Sequence, residues 1–151
     1  MAGFVFLIPK RTGVASFSNV RYLLHMEGGV GSTQVVNEQP GAVSNVGGVL
    51  TSSVSRFGNT SLSLLGTGYV DTSPIALTDR WTCESWWYVD PNGTGYQYLC
   101  NVGGSGASRL SAYFHRSDRR VELYNGQYHY TSGILPMASW CHFALVKDKL
   151  S

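Results

Sequence analysis

Apolar and polar residues alternate with a period of two through much of this chain. Leu62 and Leu64 are interleaved with Ser61 and Ser63, a spacing that sends the two sets to opposite faces of a strand. Gly66-Thr67-Gly68 then breaks the run and permits a tight corner. Residues 81–89, WTCESWWYV, carry large side chains on every helical face. A helix does not fit there, and the segment reads as a strand buried on both sides, with Trp81, Trp86, Trp87 and Tyr88 near the centre of the fold. Residues 140–146 are apolar on both faces in the same way and predict a second central strand. Shorter strands are predicted over 22–26, around Val35 and Val43, and over 96–101, 110–115 and 120–124. Asn125-Gly126 joins 121–124 to 127–130 as a two-residue hairpin in which both turn residues need positive φ. Val121 and Leu123 then face the core, with Arg120 and Glu122 outward. About ten short strands at intervals of roughly ten residues, with no helix among them, predict an all-β sandwich or jelly roll.

Composition supports that pattern. The chain has 151 residues, of which 43% are hydrophobic and 13% charged, with 18 Gly. The length suits one domain with a real core. The charged share is about half the roughly 25% of ordinary domains, which excludes disorder of the whole chain. A net charge of +2 makes no case for nucleic acid. The densest basic cluster, Arg116, Arg119 and Arg120 around Asp118, reads as a solvated hairpin end. Cys83, Cys100 and Cys141 have neither disulfide-framework nor zinc spacing, and Cys83 and Cys141, inside apolar strand patterns, read as small core residues. No stretch is long enough to insert in a membrane. The apolar run Phe4, Val5, Phe6, Leu7 and Ile8 precedes Lys10 and Arg11, the reverse of a secretory signal. Synthesis and folding in a reducing cytoplasm are expected. Five consecutive apolar residues need cover on both sides. Residues 1–20 therefore read as an N-terminal arm whose Phe4–Ile8 run contacts another subunit, the alternative being that the run forms an inner strand of the same sandwich.

Five further segments carry a family likeness over residues 21–149. In order they are Leu23-Leu24-His25-Met26-Glu27-Gly28; Arg56-Phe57-Gly58 with Ser61-Leu62; Leu65-Gly66-Thr67-Gly68-Tyr69-Val70; Trp81-Thr82-Cys83-Glu84-Ser85-Trp86; and Trp140-Cys141-His142 continuing to Asp148. Together they resemble the concanavalin A-like lectin/laminin-G-like family, in the style found in bacteriophage structural proteins. The resemblance implies a jelly-roll β-sandwich over 21–151. Family members continue into further strands after the Trp-x-His strand, whereas this sequence stops at Ser151. The sandwich is therefore expected to be incomplete at its C-terminus, and is continued in a longer protein or completed by another chain. The family's calcium ligands have no clear counterpart. Asp71 and Asp79 are candidates, and turn chemistry explains both equally well.

Glycoside hydrolases share this fold, so catalysis must be weighed. Laminarinase-type enzymes use paired carboxylates on one strand, about 5–5.5 Å apart for retaining chemistry. The corresponding strand here has Glu84 alone, with Trp86 in the place of the Asp. A degenerate hydrolase is the weakest reading, and no catalytic residue is assigned. His25, His115, His129 and His142 fall on separate strands without a nucleophile signature. Exposed aromatics suit sugar binding, because their rings stack on apolar sugar faces. Tyr96, Tyr98, Tyr113, Tyr124, Tyr128 and Tyr130 are the supply, and Tyr128, His129 and Tyr130, beyond a hairpin tip, are the candidate binding residues. The leading expectation is a non-enzymatic virion protein, a head-decoration, fibre or tail component, with other virion subunits as partners in a homo-oligomer. A carbohydrate-binding module for host surface glycans is the alternative, and no cofactor is required by either.

Overall fold

The computed structural model describes residues 22–72, 81–92, 96–102, 110–131 and 133–147. The Phe4–Ile8 arm and Asp79 lie outside them. Strands make up 57% of the structure with no helix among the described residues, and the protein is all-β, built of antiparallel sheets. Two compact units emerge. One holds the described residues up to Tyr88 together with His142 onward, and the other is Val89–Cys141.

The first unit contains three two-stranded sheets. Strand β1 (Leu24–His25) pairs antiparallel with β2 (Val36–Asn37). Strand β3 (Val43–Thr51) pairs antiparallel with β4 (Ser61–Thr72). Strand β5 (Trp81–Tyr88) pairs with β10 (Trp140–Lys147). The core forms where the period-two pattern brings Leu50 opposite Leu62 and both against Leu24 and Met26. Tyr22, Val35, Val43, Leu64 and Val70 pack around them. The β3–β4 ladder shifts register between Val46 and Gly48. Asn45 pins that bulge, its Nδ2 donating to the Thr33 and Gly48 carbonyls and its Oδ1 accepting from the Gly48 amide. A Cβ at Gly48 would come within 2.8 Å of Leu64 and 3.0 Å of Leu62, so only glycine lets the chain lie this close to the core.

The two strands expected to be buried on both faces are not. In β5 the buried residues are Ser85 and Trp87, and Glu84, Trp86 and Tyr88 on the other face are half-buried. Trp87 Nε1 donates to Ser85 Oγ at 2.6 Å, which satisfies the indole inside the core. Trp86 is covered instead by surface side chains. The Arg56 guanidinium sits 4.5 Å from its ring centre, and Phe57 meets it edge-on at 5.8 Å. Strand β10 exposes His142, Ala144 and Val146, the last at 63%. Apolar size alone misread these faces, because an aromatic or a valine can line a surface that is only partly covered.

The second unit is one antiparallel meander in which sequence order equals spatial order: β6 (Tyr96–Val102), β7 (Leu110–His115), β8 (Arg120–Tyr124) and β9 (Tyr128–Tyr130). Phe114, Ala112 and Val121 are buried on one face. Residues 116–119 turn β7 into β8, with Arg119 at φ 57°. There the Asp118 carboxylate accepts from the Arg120 amide and lies 2.9 Å from His115 Nδ1. That hydrogen bond to His115 is the main reason the Asp118 carboxyl is held below its usual range. The β8–β9 connection differs from the expected two-residue turn. Tyr124 pairs with Tyr128, so Asn125, Gly126 and Gln127 form a three-residue loop, with positive φ at Gly126 (99°) and not at Asn125.

Candidate functional site

The register of the meander decides which side chains meet. Tyr98 lies opposite Tyr113, Tyr113 opposite Glu122, and Glu122 opposite Tyr130. Directly paired residues point to the same side of a sheet. One residue from each of the four strands therefore forms a single row across one face. On one side of this row lies Tyr96 opposite His115, itself opposite Arg120. On the other side run Asn101, Ser111, Tyr124 and Tyr128.

Burial is uneven along the row. Tyr113 and Glu122 on the inner strands are 7% and 4% exposed, and Tyr96, Tyr98, Tyr128 and Tyr130 on the outer strands are each more than half exposed. Together these six residues line a cleft of about 380 Å³. The inner pair is the floor and the outer tyrosines are the walls. Tyr96 and Tyr98 brace against Tyr113 with ring centres 5.4 and 5.3 Å apart, and the tilted rings of Tyr124 and Tyr128 meet at 4.8 Å. Tyr96 also forms part of an adjoining recess of about 340 Å³ with His115, Arg116 and Ser117.

The floor is a polar pair. Tyr113 Oη donates to Glu122 Oε1 at 3.0 Å. Burial, and then the hydrogen bond and charge of Glu122, push the Tyr113 phenol far above its ordinary range. Burial first and the Glu122 charge second also raise Tyr130. Aromatic walls over a carboxylate floor can stack a sugar ring and accept its hydroxyl protons. Glu122 is the one carboxylate among the described residues that line the cleft.

No family model matches this chain, and neither a curated protein nor a solved structure matches it. The functional reading rests on its own residues.

Of the three candidate binding residues, the structure brings Tyr128 and Tyr130 together on the cleft face. His129 points to the opposite face, in register with Leu123, and its Nε2 lies 3.1 Å from Asn125 Oδ1. Glu122 was expected outward. It is on the face away from Val121, as alternation requires, but the tyrosines bury it there. The sequence signal was parity. Tyr96 and Tyr98, Tyr128 and Tyr130, and Tyr113 and Glu122 become one constellation once the strands are aligned.

In the first unit, Glu84 Oε2 lies 3.6 Å from His142 Nε2, and the His142 ring packs 5.0 Å from that of Trp86. The partner of Glu84 is thus an imidazole on the neighbouring strand. Asp71 is exposed, and its Oδ1 accepts from the Thr72 amide at the end of β4. Among the described residues no three His, Cys, Asp or Glu side chains converge as a metal site.

Proposed function

We propose that this chain is a non-enzymatic glycan-recognition module, a lectin-like jelly roll carried by a phage virion fibre, tail or decoration protein. The observation that carries the binding part is the row Tyr98–Tyr113–Glu122–Tyr130, which together with Tyr96 and Tyr128 from the flanking rows sets four half-exposed rings around a buried carboxylate. Rings left half-exposed and braced by their neighbours are prepared to stack on a ligand with little loss of side-chain entropy. The virion part is supported by the laminin-G-like resemblance. In that setting the Phe4–Ile8 arm holds the module against neighbouring subunits of a homo-oligomer, and repeated copies raise avidity.

A glycan array probed with the full chain, alongside Tyr98→Ala and Tyr128→Ala, tests this reading. The parent protein should bind a defined subset of glycans. Each variant should bind the same glycans about tenfold more weakly, the loss of one stacking ring being worth about 0.5–1.5 kcal/mol beyond its area. Both should keep the parent melting temperature, because the rings removed are exposed. Absence of any glycan binding by the parent, or full binding by both variants, would overturn the assignment.

A further inference from the structure

Among the described residues, Glu122 differs from the other carboxylates that have a side-chain partner. Glu38 lies 3.2 Å from His25, Glu84 3.6 Å from His142 and Asp118 2.9 Å from His115, each beside a group that can carry positive charge. Glu122 is more deeply buried than any of them, and its partner is a phenol. Among the described residues no Lys, Arg or His pairs with it, and none lines its cleft. The basic groups on this face, Arg120 and His115, belong to the next row of the sheet. A carboxylate taken out of water without a counter-charge is costly, so the cleft has an unmet demand for a cation. The walls make the same demand, because a tyrosine ring presents a negative face that attracts an ammonium within about 6 Å.

We propose that the cleft selects a sugar bearing a free ammonium group, of the glucosamine type, over its neutral and N-acetylated counterparts. The proposal rests on the glycan-binding reading and adds the chemical class of the glycan. The ammonium sits above Glu122 among the rings of Tyr96, Tyr98, Tyr128 and Tyr130, and donates its N–H groups to the carboxylate. The sugar ring stacks on the outer tyrosines. A primary ammonium suits this floor better than a quaternary one, because a trimethylammonium has no N–H to offer the carboxylate. A volume of about 380 Å³ is at the small end of ligand sites, enough for one or two sugar rings.

Isothermal titration calorimetry of the full chain at pH 6, where the sugar amine is protonated, tests this with four probes. They are the glucosamine tetrasaccharide, the N-acetylglucosamine tetrasaccharide, cellotetraose and choline. The glucosamine oligomer is expected to bind at least about tenfold more tightly than either neutral oligomer, consistent with a desolvated cation–aromatic contact. In Glu122→Gln, checked for native circular dichroism, the three oligosaccharides should bind within about threefold of one another. Equal binding of all three by the parent protein would overturn the ammonium preference and leave the glycan reading intact. Retained preference in Glu122→Gln would remove Glu122 from the role. Binding of choline with no oligosaccharide bound, or of none of the four probes, would overturn the ammonium preference, and the glycan array then decides the glycan reading. Should Glu122→Gln not fold, the parent's own ranking of the four probes still decides the proposal.

Discussion

The Tyr113–Glu122 pair makes a prediction that separates a built site from incidental packing. Tyr113→Phe removes one hydroxyl and leaves the ring in place, so no cavity follows. What it removes is the 3.0 Å hydrogen bond to the Glu122 carboxylate. Hydrogen bonds to charged groups contribute about 1.5–3 kcal/mol when buried. The cleft is open above this pair, so water can partly replace the lost donor, and a loss of about 1–1.5 kcal/mol is the reasoned value. Glu122→Leu has opposing effects. It relieves a buried carboxylate without a cationic partner, and it orphans the Tyr113 hydroxyl at a cost of about 1–3 kcal/mol. In Tyr113→Phe/Glu122→Leu neither effect leaves an orphan, and the double variant should be as stable as the parent or more so. The cycle should therefore show a coupling of about 1 kcal/mol or more. Urea unfolding followed by tyrosine and tryptophan fluorescence provides the four stabilities. In a domain of this size each kcal/mol moves the melting temperature by about 2–4 °C, so thermal scans give a second reading. The reasoning is refuted if Tyr113→Phe unfolds at the parent's urea midpoint, or if the single effects simply add. A stable double variant that no longer binds sugar would mark Glu122 as held for function at the expense of stability.

Two further outcomes follow from the structure. Trp87→Ala should cost about 3–5 kcal/mol through lost burial and a cavity, and Trp86→Ala markedly less, because the Trp86 ring is only half-covered; equal melting temperatures for the two variants would refute the assignment of the buried face of β5. At alkaline pH the stability advantage of the parent over Tyr113→Phe should narrow. The unfolded chain loses its phenol protons above about pH 10, and folded Tyr113 holds its proton to a higher pH, so stability falls as pH rises. A gap in urea midpoint that stays constant from pH 8 to pH 11 would sink that linkage.

Strand positions were legible because period two survives any uncertainty about partners. Leu62 with Leu64, 110–115 and 120–124 could be assigned from alternation and turn residues alone. Depth of burial was less legible. Trp86 and Trp87 are adjacent and alike in composition, and which of them enters the core depends on what covers each face. Ser85 and the ring of Trp87 fill the inner side, and Arg56 and Phe57 cover Trp86 from outside. The cleft was legible only as an excess of tyrosine. Glu122 reads as a surface residue in any window of its own strand, since alternation puts it away from Val121. Its burial comes from tyrosines 24 and 26 residues upstream and 6 and 8 residues downstream, which no local pattern ranks above other aromatics.

Register explains why the site depends on its turns. Four residues join β7 to β8 and three join β8 to β9. In a sheet, a slip of one residue sends every side chain of a strand to the opposite face. Shortening the 125–127 loop to the two residues that Asn125-Gly126 first suggests would pair Tyr124 with Gln127 and carry β9 one residue along. His129 would then come onto the cleft face, and Tyr128 and Tyr130 would leave it. The positive φ of Gly126 and the Asn125 side chain, which accepts from the Gln127 amide, hold the longer loop. The hydrogen-bonding distance from Asn125 to His129 ties the loop to the face opposite the cleft, where the histidine lies. A loop that contributes no residue to the cleft therefore determines which residues the cleft contains. The preference of a hairpin tip for Asn and Gly, legible in the sequence as a fold signal, is also what sets the two tyrosines of β9 beside Glu122.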